Sequence, residues 1–427
     1  MRWRRWALLA VALLSPALAV AEETEPPREG LGRLAQQANL SGSIRGGYWS
    51  SSRELDDREH LATASLWLKV APKLWPDASL LIEGWVRNED LVHEEATDGA
   101  LREGYVDLAL GPLDLRLGRQ IIVWGRADRI NPTDNLSPRD FTLLVPDDDD
   151  QRLGAAAVKA TYHLGGLAIS GLWLPEFIPN TIPIRRPLPP ATIRERMPDS
   201  TLGQWAARIE QTGEAVDWSV SYFDGFDLSP DAGLGLVTPS SVEVLLRHHQ
   251  IRVIGADAAA TVGRYGLRAE AAYTFTEDAR GDRPDVKNPF FFLVLGGDRT
   301  FIEYLNINVQ YFTRVIYGFR SPFEVQNALQ RALAIQQAVV TNQLDQVQHG
   351  ISLRVSYKWF HETLEAELAS ALSLTRLDYT LRPKVTYALT DRWKAIVGAD
   401  VFGGDRVSFF GNLRDNTTAY AELRWSF

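Results

Sequence analysis

Seven His and no Cys among 427 residues narrow the chemistry this chain can carry. Without Cys there is no thiol nucleophile, no disulfide scaffold and no Cys-ligated zinc or iron–sulfur centre. Two His placements suggest acid–base work: the pair His248-His249, and His361 beside Glu362. No G-x-S-x-G or H-E-x-x-H accompanies them. A Ser–His pair need only meet in space, so a hydrolase remains a minor alternative. Gly30-Leu31-Gly32-Arg33-Leu34-Ala35 fits a loose dinucleotide fingerprint, but no strand precedes it and no βαβ unit follows. The run Asp147-Asp148-Asp149-Asp150 offers hard oxygen ligands to Ca²⁺ or Mg²⁺. It lacks the spacing and Gly of a calcium loop and reads more simply as a solvated loop. Neither a cofactor nor a dedicated metal is implied.

What remains is charge, and the elements that would position it are strands. Ala419, Ala421, Leu423, Trp425 and Phe427 alternate with Thr418, Tyr420, Glu422, Arg424 and Ser426. Ile351, Leu353, Val355, Tyr357 and Trp359 alternate in the same way with Ser352, Arg354, Ser356 and Lys358. Period-2 patterning means strands with one apolar and one polar face. Segments of this kind run ten residues or more, from 40–51 to 417–427, and number about eighteen. The composition includes 13 Trp, 13 Tyr and 17 Phe, and rings gather toward the segment ends. Long amphipathic strands of even number suit an all-β fold, a transmembrane antiparallel β-barrel with aromatic girdles at both interfaces. A soluble β-sandwich is the competing reading.

Residues 1–21 form a signal peptide: Arg2, Arg4 and Arg5, then an apolar run from Ala7 to Leu14, then Ala19-Val20-Ala21. No Cys follows to carry a lipid. The expected organisation is 1–21 signal peptide, 22–39 short periplasmic segment and 40–427 barrel. The net charge of −9 falls further once three arginines leave with the signal peptide, which argues against nucleic acid as a partner.

Assigning the polar strand face to the lumen gives a basic wall: Arg45, Arg87, Arg116, Arg208, Arg252, Arg268, Arg314, Arg354, Lys358, Arg382, Lys384 and Arg424, with Lys69, Lys159 and Lys394. Fewer acids share that face: Glu83, Asp114, Glu210, Asp217, Glu270, Glu365, Glu367, Asp400 and Glu422. His163 is read as a polar lumen residue. The remaining acids, Asp56, Asp57, Glu59, Glu94, Glu95, Asp98 and Asp147 to Asp150, are read as an acidic mouth. A basic wall favours anionic solutes unless its charges pair across the lumen.

The third long connection, 125–153, has the residues of a mixed-sign constriction: Arg126, Arg129 and Arg139 beside Asp128, Asp134 and Asp140, stiffened by Pro132 and Pro138. A self-capped surface loop is the alternative. Residues 321–347 read as an amphipathic helix in a late long loop, capped by Ser321 with Pro322 and Glu324, about 40 Å long and placed as a lid or plug. A short helix is expected at Leu31 to Ala38.

Phe427 with alternating apolar residues before it resembles the assembly signal of Gram-negative outer-membrane barrels. Leu117 to Asp140 resembles a motif of a poorly characterised porin-like group, matched here by Gly118-Arg119-Gln120, Trp124-Gly125 and Asn131-Pro132-Thr133-Asp134. The resemblance implies a porin-like barrel in the outer membrane of a Gram-negative bacterium, and the basic wall adds the expectation of a channel passing a small anionic or amphipathic solute. It also implies contact with lipid and lipopolysaccharide and insertion by the barrel-assembly machinery through Phe427. The alternative is an outer-membrane partner of a lipid or hydrophobic-compound export system. Oligomeric state is left open. N-terminal sequencing of the exported protein is expected to begin at Glu22; a start at Met1 would remove the targeting argument.

Overall fold

The computed structural model describes residues 37–93, 97–184, 191–199, 203–213 and 215–427. The signal peptide, the segment 22–36 with the glycine motif and most of the expected Leu31 to Ala38 helix, and Glu94 and Glu95 lie outside them.

The alternating segments form eighteen strands of one antiparallel sheet. In chain order these are β1 (Ser41–Ser51), β2 (Glu59–Val70), β3 (Ala78–Asn88), β4 (Thr97–Leu110), β5 (Leu113–Gln120) and β6 (Ala155–Leu164). Then come β7 (Leu167–Leu174), β8 (Gln204–Gln211), β9 (Val216–Phe226), β10 (Gln250–Val262), β11 (Tyr265–Phe275) and β12 (Phe290–Phe301). The last are β13 (Leu305–Ile316), β14 (Val347–Trp359), β15 (Leu364–Ser373), β16 (Tyr379–Ala388), β17 (Trp393–Gly403) and β18 (Thr418–Ser426). A short strand, Lys73–Trp75, adds to the β2–β3 turn. The sheet closes because β18 pairs with β1, Ser43 opposite Ser426 through Trp49 opposite Tyr420. Gly42 and Phe427 exchange two backbone hydrogen bonds of 3.1 Å, so the final residue completes the seam. Closure leaves no unpaired edge.

The start of β1, the end of β18 and the tight turns share one rim. Gly111 and Gly165 adopt φ of +65° and +60° there, which suits Gly in two-residue turns. The opposite rim carries the long connections. Two of these, read from sequence as irregular, contain a small sheet outside the barrel: the hairpin Asp231–Thr238 and Ser241–Arg247, with Ala191–Arg196 parallel to the second strand. Strands of six to eight residues interrupted by Gly233 and Gly235 give too little alternation to register.

The late helix is shorter than expected. Helix α1 (Ala328–Val340) is capped by Asn327, whose side chain accepts from the backbone N–H groups of Leu329 and Gln330. Ser321 makes no such bond and precedes only a single 3₁₀ turn at Pro322–Glu324. Thirteen residues span about 20 Å, not 40. Ala338, Val339 and Leu344 pack with Ile335 and Val407, and Gln337 hydrogen-bonds Asp231. The helix thus belongs to the long-loop rim rather than to the barrel interior.

Apolar side chains such as Ile44, Val86 and Val397 point outward and are exposed. The expected girdles account for only part of the rings: Trp173, Trp205 and Phe275 lie exposed near the long-loop rim, while several others sit on the inward face. Trp49 is fully buried and stacks on Tyr420 at 4.5 Å, and Trp67 meets Trp85 at 6.0 Å beneath Leu143 and Val145. Trp75, Trp359 and Trp393 do lie exposed near the tight-turn rim. Trp49→Ala is expected to cost about 3–5 kcal/mol, read from the urea unfolding midpoint of the detergent-solubilised barrel.

Candidate functional site

Loop 121–154, between β5 and β6, runs into the barrel and touches strands around most of its circumference. Its root is fixed by three contacts. The Ile121 N–H donates to Glu103 at 2.9 Å, the Ile122 N–H donates to Ser137 Oγ at 2.6 Å, and the Ser137 hydroxyl donates back to the Ile122 carbonyl. Ile122, Trp124 and Leu136 join an inward apolar cluster with Leu172, Leu174, Phe223, Ile251 and Val253.

Glu270, buried on β11, organises the next segment. One carboxylate oxygen accepts from the backbone N–H groups of Arg126 and Ala127 at 3.0 and 3.1 Å. The other accepts from the Thr133 N–H and hydroxyl, both at 2.8 Å. Gly125, at φ +93°, lies against this carboxylate, and a Cβ there would collide with it. The Trp-Gly and Asn-Pro-Thr-Asp motifs are therefore the two arms that grip one acid.

Beyond the root, mixed charges interlock. Arg126 pairs with Asp257 on β10 at 2.6 Å, and Asp257 also accepts from Ser219. Gln310 on β13 holds both the N–H and the carbonyl of Asp128, at 2.8 and 2.7 Å. Arg129 bridges Asp148 of the same loop and Glu367 of β15, at 3.0 and 2.9 Å, from a φ of +65°. A non-Gly residue in that region carries strain of order 1 kcal/mol and marks a position fixed by its partners. Arg354 completes the group, 2.8 Å from Glu367 and 3.5 Å from Asp128. Asp134 pairs with Arg152 at 2.7 Å and Arg139 at 3.4 Å, stiffening the loop itself. Asp140 turns to Thr142 and takes no part in this group.

The run Asp147 to Asp150 is neither a solvated loop nor a cluster aimed at a metal, and it does not belong to an acidic mouth. Asp147 meets Lys384 at 3.0 Å and Arg424 at 3.1 Å, Asp148 meets Arg382 and Arg129, and Asp150 meets Arg45 at 2.5 Å. Asp149 alone stays exposed. Burial opposes ionisation of Asp148, but the Arg382 and Arg129 guanidiniums outweigh it and hold its pKa down at about 2. Asp147 is likewise lowered, against burial, by Lys384 and Arg424. Arg53, after β1, clamps the far side by donating to the Leu143 and Val145 carbonyls and pairing with Asp400 at 2.6 Å.

Other wall cations are placed less centrally. Arg116 pairs with Asp107, Arg268 with Asp298, Arg208 with Glu210, and Lys358 with Glu362 at a turn. His163 meets Asp114 at 2.8 Å. Arg314 lies over Phe290 and Phe292 and donates to the Thr341 and Asn342 carbonyls. Arg87 is buried with Glu89 no nearer than 3.9 Å. Arg252 is misplaced in the sequence reading: it is exposed on the outer face near the long-loop rim, paired with Asp224, while its neighbours Ile251 and Val253 point inward. The same error of phase hid Asp257. Around it the run Ile254 to Ala260 has small residues on both faces, and the inner wall there is apolar because the loop root packs on it.

No family model matches the chain, and no curated protein matches its sequence. Solved structures do match in fold. The outer membrane protein OpdK from Pseudomonas aeruginosa gives a TM-score of 0.55 at 10% identity, covering 91% of this chain and 97% of that chain. OpdK from the same organism with vanillate also gives 0.55 at 10% identity, covering 91% and 98%. A further structure of it, as OccK1 (OpdK), gives 0.54 at 11% identity, covering 91% and 98%. What these structures share with this chain is the fold, a closed antiparallel β-barrel, here of eighteen strands with long connections on one rim and tight turns on the other.

Glu270→Gln keeps the size but turns an amide N–H₂ against the donors of the loop root. The expected cost is about 1–3 kcal/mol locally, seen as faster amide exchange across 121–137 with the barrel strands unchanged. For Asp148 the folded pKa lies below the ordinary 3.8, so its stabilisation is present above that value and is lost as pH falls toward 2. Loop protection over 139–151 should therefore decline between about pH 4 and pH 2, measured by amide exchange.

Proposed function

We propose that this protein is an outer-membrane channel whose lumen is narrowed by loop 121–154, passing small anionic or amphipathic solutes. The observation that carries this reading is the loop itself, folded through a closed eighteen-stranded barrel and fastened to strands on opposite walls. Barrels of this size leave an aqueous interior unless something fills it. The crossed charges of Arg126, Arg129, Asp128, Asp148, Arg354 and Glu367 set a transverse field at the narrowing, which orients dipolar solutes. On this reading the Gly-Arg-Gln, Trp-Gly and Asn-Pro-x-Asp motif is the signature of a loop root built to grip one wall. The preference for anions rests on the cations of β16, β18 and β1, which already attract the carboxylates of Asp147, Asp148 and Asp150.

Single-channel recording of purified protein tests the reading. A small ohmic conductance is expected, rising several-fold when 139–151 is replaced by a short Gly-Ser linker and changing little when α1 is deleted. In a salt gradient the reversal potential should shift toward the anion. Absence of conductance in both the parent and the 139–151 replacement would reject the channel.

A further inference from the structure

The interior arc that receives Asp147 to Asp150 has an arrangement that its own strands do not stabilise. Lys394 of β17, Arg424 of β18 and Arg45 of β1 lie directly opposite one another in register. Like charges in facing positions destabilise a sheet, so a row of three cations needs an anion from elsewhere. Lys384 and Arg382 stand farther along β16, since Lys394 faces Ala388 and Lys384 faces Gly398, yet Asp147 reaches both Lys384 and Arg424. The wall has its own acids here, but Glu367 and Asp400 are already shared with Arg354 and with Arg53 and Arg382, and Glu422 is shared with Arg424. The loop supplies charge to Arg45, Arg424, Lys384 and Arg382, and not to Lys394, as one contiguous stretch. Asp147, Asp148 and Asp150 each reach a different part of the arc, and Asp149, on the opposite side of the turn, faces solvent.

We infer that Asp147-Asp148-Asp149-Asp150 occupies the binding site of the transported solute and imitates it. The solute is an extended oligoanion with several carboxylate or phosphate groups in a chain. This rests on the channel reading above and names the solute class. The footprint sets the size. From β16 to β1 is three strand spacings, about 14 Å, so the groups must be distributed along a chain rather than gathered on one centre. The chemistry sets the class. Arg382, Arg424 and Arg45 present forked donors that match planar carboxylate or phosphate oxygens, and Lys384 adds a point charge. Arrival of such a solute exchanges one set of carboxylates for another on the same cations. The loop's ionic half is released without leaving the wall unneutralised, while the root at Glu270 stays fastened. A monovalent anion satisfies one cation at a time and does not displace the run.

Binding of an aspartate hexamer, inorganic tripolyphosphate and acetate to the detergent-solubilised full chain tests this. The readout is intrinsic fluorescence, because Trp67 and Trp85 pack under Leu143 and Val145 of the same loop. The hexamer should bind more tightly than tripolyphosphate, and acetate should show no saturation. The variant Asp147→Asn with Asp148→Asn and Asp150→Asn removes the competitor and should tighten hexamer binding about tenfold or more. Lys384→Gln with Arg424→Gln should weaken it by a similar factor. If the triple variant binds the hexamer no more tightly than the parent, or if the wall variant binds it equally well, the inference is wrong. Should the triple variant fail to fold, the parent and wall variant decide the matter alone. Tighter binding by tripolyphosphate than by the hexamer would overturn the extended-chain assignment. Recording from the same samples separates the two readings: conduction without competition removes this inference and leaves the channel, whereas competition in a non-conducting barrel removes the channel and with it transport of the bound oligoanion.

Discussion

A carboxylate buried inside a barrel has to find donors, and Glu270 finds all four of its own in one loop. Leaving such a group unsatisfied costs several kcal/mol, so the position of the 121–137 segment follows from the position of β11. Gly125 is the sequence's concession to that constraint, since any side chain there would press on the acid. Once the root is fixed, the length and the prolines of the loop carry its second half to the opposite wall, where Arg53, Arg382 and Lys384 wait. The charged interior is organised around that one anchored carboxylate.

The two ends of the loop are held by different physics. The root is dry, with Trp124, Ile122 and Leu136 against an apolar wall, so it responds little to salt. The far end is held by ion pairs that are only partly removed from water, and these weaken with ionic strength and with protonation of the aspartates. Arg129, in its left-handed conformation within the root segment, ties the two together by pairing with Asp148 of the far end and with Glu367 of the wall.

The fold was legible because alternation is local: each strand announces its own faces, and closure follows from even number and length. The site was legible only in part. Composition identified the loop and most of the wall, yet the partners of Asp147 to Asp150 lie on strands more than two hundred residues later or a hundred earlier, beyond any local pattern. Arg252 was assigned to the wrong face, and Asp257 was missed, because the rule that apolar means lipid-facing fails where an inward loop covers the inner wall. Trp49, Trp67 and Trp85 broke the expectation of interfacial rings for the same reason. The helix was overextended because Ser321, Pro322 and Glu324 imitate a cap that Asn327 makes instead.

The seam between β1 and β18 has a consequence in time. Arg45 is synthesised first and Arg424 last, and they become neighbours only when the final residues pair with Gly42. Until then the barrel is an open sheet, and the acidic run of the loop has its partners spread along an unfinished wall. Contacts this distant in sequence form slowly. Closing the cylinder brings the facing cations together and gives them their counter-ions in one event, so the loop's far half can settle only in a molecule that is already whole. The ionic clasp inside this barrel therefore records completed assembly.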